Sequence, residues 1–238
     1  MKFEIVSHCL FYDKLLCCQL SSIHRVAQQF PGHLFTFSIV SSKRDTPTSR
    51  VANFFRSLAP SNLEILSVDL LPERVMNRAI GRNIRARETK ADLVWFADVD
   101  HLIYPSCIET LVSNCGRADM IWPSSMLYMD KVNTQLLLDS LSDICIVDVV
   151  SHGHPGVYRD RSRPIGGLQF VLGDYARRNG YSRSRFRSAT WNFASDVTFR
   201  RKCTNSRSVG YLDILRLRHF NREAKNFNVY NNNQIRML

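Results

Sequence analysis

Four apolar runs, FEIVS at 3–7, LFTFSIV at 34–40, LEILSV at 63–68 and DLVWFA at 92–97, are each separated from the next by a segment with helical periodicity. Short strands alternating with helices leave a chain few options, because parallel neighbours need crossover connections and those crossovers are right-handed. The pattern predicts a parallel sheet with helices over 13–30, about 48–58 and about 73–90. In the first helix Leu15, Leu16, Leu20, Ile23 and Val26 fall near helical spacing, and ProGly at 31–32 ends it. A helix after Pro105 and a strand over 118–123 continue the alternation. The fold class expected is therefore α/β, a mostly parallel central sheet flanked by helices.

Beyond residue 123 the pattern loosens. Residues 131–150 read as helix then strand, and 151–165 as a polar, proline-containing loop. GGLQFVLGDYARRNGY, from Gly166, reads as strand then helix closed by AsnGly, and the final NNNQIRML reads as frayed. Neither GxGxxG nor a P-loop occurs, which disfavours a Rossmann dinucleotide site and a Walker-type site.

The length of 238 residues suits one α/β domain with an elaborated C-terminal portion. A hydrophobic share of 45% and a charged share of 22% are ordinary for a soluble globular chain, and no run approaches the roughly 18 apolar residues of a membrane span. MKFEIVSHCLFYDK lacks the basic leader and long apolar core of a secretory signal, so a cytoplasmic location is expected. The seven cysteines form no CxxC pair, and they read as buried, reduced thiols. The net charge of +11 is uneven: residues 159–238 carry 17 Lys and Arg against 5 Asp and Glu, and most are arginine. Such a segment points to an anionic partner: a nucleotide diphosphate, an acidic acceptor, a nucleic acid, or a membrane surface touched peripherally. A solvated basic face is the plainer alternative.

The run DLVWFADVDHL puts Asp98 and Asp100 where a buried strand ends. In open α/β sheets ligands sit outside the carboxyl ends of strands. Two carboxylates spaced i, i+2 there can hold a hard divalent cation, Mn²⁺ or Mg²⁺, which can neutralise a diphosphate leaving group. Capping the following turn is the alternative.

The longer run RAIGRNIRARETKADLVWFADVD, with Arg82-Asn83, Lys90-Ala91-Asp92, Asp98 and Asp100 in order, resembles the signature of glycosyltransferase family 2, the inverting nucleotide-sugar transferases of GT-A fold. The resemblance covers residues 1 to about 123. It implies a single domain, with 1–123 as the nucleotide-sugar half and 124–238 as the more irregular acceptor half. It further implies that Asp98 meets the ribose or the metal-side oxygens, that Asp100 coordinates the cation, and that Ser7 and His8 lie in the nucleotide-contacting loop. Arg82 would face the nucleotide, its alternative being an ordinary helix-surface arginine. Where the family usually shows AspAsp-Gly-Ser, this chain has Ser41-Ser42-Lys43-Arg44-Asp45; Asp69 could substitute or simply serve a turn.

In WNFASDVTFRRK, Ser195-Asp196 followed by Val197, Phe199 and Arg200 is similar to the family's general-base element, which makes Asp196 the implied base. A helix N-cap is its other reading. GGLQF resembles the stretch that brings acceptor-side backbone close to the donor, and LDILRLRHF resembles a late strand ending in a metal- or diphosphate-side histidine, here His219. His152 and His154 read as surface residues. The implied partners are a nucleotide-sugar donor and a glycan or lipid-linked acceptor. Two rivals stand beside this reading. One is a nucleotidyltransferase, whose Gly-rich loop SHCLFYDK lacks. The other is a basic nucleic-acid module using Arg177, Arg178, Arg183, Arg185 and Arg187 with Tyr181 and Phe186.

Overall fold

The computed structural model describes residues 1–149, 156–158, 164–182 and 194–219. The chain begins with β1 (Lys2–His8), α1 (Asp13–Gln29), β2 (Leu34–Ser41), α2 (Thr46–Leu58), β3 (Leu63–Asp69), α3 (Pro72–Val75), α4 (Arg78–Glu88) and β4 (Leu93–Ala97). It continues with β5 (His101–Ile103), α5 (Ser106–Asn114), β6 (Met120–Trp122), β7 (Ser125–Met129), α6 (Lys131–Ser140), β8 (Gly156–Tyr158), β9 (Leu168–Leu172), α7 (Gly173–Asn179), α8 (Ala194–Lys202), β10 (Ser206–Ser208) and β11 (Tyr211–Leu217).

A seven-stranded sheet runs in the order β10-β6-β9-β4-β1-β2-β3, with only β9 antiparallel to its neighbours. Its inner strands β1, β2, β4 and β9 are buried along most of their length on both faces, as a sheet covered by helices on two sides requires. Along β4, Leu93, Trp95 and Ala97 join the core beneath α1, α2 and α5, while Val94 and Phe96 join the opposite core with Ala79 and Ala86 of α4 and Phe199 of α8. A smaller sheet, β5-β11-β7-β8, crosses the end where β4 stops.

The long helix expected over about 73–90 is two helices. Asn77 leaves helical geometry at φ −87°, ψ 86° and becomes the N-cap of α4, the helix that carries Arg82. The strand expected at the end of 131–150 does not form among the described residues, which run to 149. Residues 141–149 instead lie as an irregular strap along α1, where Val147 and Val149 are buried and the Val147 amide donates to Ser21 Oγ at 2.9 Å. Burial against a helix satisfies the apolar pattern that reads as a strand. All seven cysteines are free; Cys145 is exposed and Cys115 half-buried, the others buried as expected. Burial pushes Cys17 up to about 11 and Cys9 up to about 12, so these thiols behave as small apolar side chains.

Candidate active site

β4 delivers Asp98 at its carboxyl end, as the sequence predicts, and the turn behind it is fastened from α1. The buried Gln19 donates through Nε2 to the carbonyls of Asp98 (3.0 Å) and His101 (2.9 Å), and its Oε1 accepts from Ser7 Oγ at 2.7 Å. Ser7 is thereby committed to scaffolding and fully buried. The amide of Leu217, at the end of β11, donates to the Asp100 carbonyl at 2.8 Å, so both sheets meet at this turn.

Three residues gather their ligand atoms within 4.8 Å of one another: Asp98, Asp100 and His101. His219, the histidine expected on the metal side, is not among them; its ring packs edge-on against Tyr12 with centroids 5.3 Å apart. The signal for His101 was present, since it directly follows Asp100. Asp100 Oδ1 lies 3.0 Å from His101 Nδ1, and Asp100 Oδ2 accepts from Arg216 Nε at 3.1 Å.

Arg82 is wholly buried and so is not a surface arginine. Its Nη2 donates to Asp98 Oδ1 at 2.8 Å and to the Ala97 carbonyl at 3.0 Å, while its Nη1 donates to Asp196 Oδ1 at 2.9 Å. One buried guanidinium therefore ties the aspartate of β4 to the aspartate of α8. Arg78, one turn earlier on the same helix face, meets the same two aspartates from a partly exposed position. It donates to Asp98 Oδ1 and comes within 3.6 Å of Asp196 Oδ2, and its side chain is 20% exposed. Spacing i, i+4 in RAIGR puts both arginines on one face, a cue legible in the sequence that points to Arg78.

Burial works against ionising Asp98, but Arg78 and Arg82 outweigh it and hold the carboxyl well below the usual range. Burial likewise opposes the charge on Asp100, and His101 and Arg216 overcome it. His8 goes the other way: burial first, then Arg82 and Arg78, keep its imidazole neutral well below the ordinary pKa.

Two glycines let the backbone approach these groups. A Cβ on Gly166 would lie 1.9 Å from Asp196 Oδ2, and one on Gly167, whose φ is +86°, would lie 2.7 Å from Asp98 Oδ2. Trp95 Nε1 fixes this turn by donating to the Gly167 carbonyl at 2.8 Å. Asp196 sits in the first turn of α8, yet its carboxylate serves Arg82 and Tyr181 across the cleft.

Among the described residues, the buried side-chain polar atoms without a hydrogen-bond partner belong to His8, Asn77, Arg82, His101 and Gln169. Asn77 precedes Arg78, Gln169 Oε1 lies 3.1 Å from the Tyr181 hydroxyl oxygen, and His8 feels the charges of Arg82, Arg78 and Asp98, so these groups neighbour the same aspartates. Buried polar groups are normally paired, and a concentration of unpaired ones marks a place shaped for a polar guest or for ordered water.

Other expected residues lie elsewhere or do other work. Asp69 accepts from the Lys43 amide at 2.7 Å, a turn role. Of the aromatic and basic set, Tyr181 is buried and Arg177 donates to the Thr89 and Ala91 carbonyls, whereas Arg178 is exposed. Arg183, Arg185, Phe186, Arg187, His152 and His154 fall outside the described residues. No helix among the described residues is long and apolar enough to cross a membrane.

No family model and no curated protein matches the chain. Solved structures do. Residues 1–349 of TarS from S. aureus in complex with UDP-GlcNAc align at a TM-score of 0.60 and 12% identity, over 92% of this chain and 59% of that one. Another structure of TarS 1–349 aligns at 0.56 and 13% identity, over 90% and 60%. The mannosyltransferase PcManGT from Pyrobaculum calidifontis, in complex with GDP-Man and Mn²⁺, aligns at 0.54 and 11% identity, over 91% and 56%. The chain thus spans about 60% of the length of the TarS 1–349 structure it matches, and its fold is the GT-A glycosyltransferase fold.

Proposed function

We propose that this chain is a nucleotide-sugar glycosyltransferase that moves a sugar, with inversion, from a nucleoside diphosphate donor to a hydroxyl of a glycan or lipid-linked acceptor. The observation that carries the reading is the convergence, at the carboxyl edge of a GT-A sheet, of Asp98, Asp100 and Asp196 with five residues whose buried polar atoms lack partners. Residues 1–123 form the donor half and 124–238 the acceptor half. The neighbours' UDP-GlcNAc and GDP-Man suggest the donor class.

Carboxylate oxygens with an imidazole nitrogen form a donor set suited to Mn²⁺, so Asp98, Asp100 and His101 fit a divalent cation. When bound, such a cation offsets charge on the diphosphate. The chain's own groups do the rest. Arg78 offers the cleft a guanidinium for phosphate oxygens, and His8 offers a neutral ring to the nucleotide. Arg82 and Ser7 hold the donor-side groups from beneath. Asp196 accepts the acceptor's proton as that oxygen bonds to the anomeric carbon and the bond from this carbon to the diphosphate breaks. The basic C-terminal segment steers anionic substrates or a membrane surface, and His219 lines the approach beside Tyr12.

The test is binding of UDP-, GDP-, CMP- and dTDP-sugars, by thermal shift and calorimetry, with and without Mn²⁺. At least one donor should stabilise the protein, more strongly with the cation. Binding of none of them, together with salt-dependent binding of DNA or RNA, would favour the nucleic-acid module instead.

A further inference from the structure

Tyr181 was marked in the sequence only as an aromatic between arginines. In the structure its ring is 1% exposed, stacked on Phe199 at 4.4 Å between centroids and edge-on to Phe96 at 4.7 Å. Its hydroxyl oxygen lies 2.6 Å from Asp196 Oδ1, 2.9 Å from Arg82 Nη1 and 3.1 Å from Gln169 Oε1. Arg82 can only donate, so the phenol oxygen accepts from it and gives its single proton to an acceptor. Asp196 is the nearer acceptor and the charged one, and charge-assisted bonds are the stronger.

The backbone turn is built to deliver this hydroxyl. Asn83 Oδ1 accepts from the Tyr181 amide at 3.0 Å, and a Cβ on Gly180, whose φ is +64°, would come within 2.4 Å of that same oxygen. The neighbours Arg82 and Asn83 on α4 therefore hold both ends of Tyr181. Asp196 Oδ1 is then saturated by Arg82 and Tyr181. Asp196 Oδ2, among the described residues, meets only the Arg78 guanidinium at 3.6 Å, beyond hydrogen-bond range, and faces the Gly166 backbone.

We propose that Tyr181 is a positioning residue for proton transfer: with Arg82 it occupies Oδ1 of Asp196 and so leaves Oδ2, beside Gly166, as the oxygen that takes the acceptor's proton. This rests on the reading of Asp196 as the base. The phenol itself stays protonated, because burial, reinforced by the Asp196 charge against the opposing Arg82, raises its pKa above the ordinary value.

The experiment is a double-mutant cycle of Tyr181→Phe and Asp196→Asn, reading kcat for sugar transfer and donor Kd by calorimetry. Tyr181→Phe keeps the ring stack and should lower kcat about tenfold to a hundredfold, the scale of a lost hydrogen bond to a charged group, with donor Kd unchanged. In the Asp196→Asn background the same change should have almost no effect on kcat. Replacing Tyr181 by p-aminophenylalanine, which retains a donor in the same place, should recover most of the rate, and it also serves as the test if Tyr181→Phe does not fold. Wild-type kcat in Tyr181→Phe, an equal loss in both backgrounds, or no recovery with the amino analogue would each overturn the inference. A wild-type protein that binds and transfers no nucleotide sugar would instead overturn the glycosyltransferase reading beneath it.

Discussion

The two halves of the central sheet are built differently. From β1 to β3, sequence neighbours are sheet neighbours: β1 pairs with β2 and β2 with β3, each over seven residue pairs. From β4 outward the neighbours are distant, β4 with β9, β9 with β6 and β6 with β10. The first arrangement yields a rigid platform from local crossovers. The second brings together, in one cleft, residues more than a hundred positions apart, such as Arg82 and Asp196. The difference teaches that the platform side supplies the fixed charges, and the long-range side supplies the group proposed to move a proton.

The largest test of this division is Arg82→Met. Removing a buried guanidinium strands two carboxylates, Asp98 after β4 and Asp196 on α8, and should cost about 3–5 kcal/mol of stability in chemical denaturation. Arg78→Met, at a partly exposed position, should cost well under half as much. Equal losses would mean that Arg82 is not the chief link between these two aspartates.

Next in size, Asp196→Asn should lower kcat roughly 10²-fold or more while both substrates still bind, since the amide cannot accept a proton. Transfer at the wild-type rate would remove Asp196 from the chemistry and leave it as a link of the scaffold.

The platform was legible in the sequence because a strand with both faces buried and an amphipathic helix each leave a local trace, and their pairing follows from adjacency. Asp98 and Asp100 were legible for the same reason, since the end of an apolar run locates them. What periodicity could not give was the partner of each group. Nothing local says that β9 inserts antiparallel beside β4, that β11 runs past Asp100, or that Tyr181 reaches Asp196. The family resemblance points to His219 on the metal side, whereas in space His101 stands beside the aspartates. The split of α3 from α4 escaped because Asn77 sits inside an otherwise helical pattern.

The twin glycines sharpen the comparison at smaller cost. Gly166→Ala, which crowds Asp196 Oδ2, should lower kcat by an amount worth about 1–3 kcal/mol with donor Kd nearly constant. Gly167→Ala, which crowds Asp98 Oδ2 and strains a positive φ, should instead weaken donor or Mn²⁺ binding. Identical kinetic signatures from the two variants would erase the distinction between the sides.

The smallest effect concerns His8, on the platform side. Its folded-state pKa is depressed, so its contribution to stability is complete above the unfolded value of about 6.5 and is lost as pH falls below it. His8→Gln should flatten the decline in stability below that pH by up to about 1.4 kcal/mol per pH unit, measured by denaturant midpoints across a pH series. An unchanged slope would mean that His8 takes up its proton as freely folded as unfolded.

Asp45 caps α2 through the Thr48 amide and, with its other oxygen, holds the amide of Phe11, a non-glycine residue at φ +59°. The shape of the first loop on this edge of the sheet is thus written into the second loop, 34 residues later. In evolutionary terms the two loops form one heritable unit. A substitution at 45 releases the strain at 11, so drift in either loop is constrained by the other, and a chimera that transplants residues 9–12 must carry Asp45 with them.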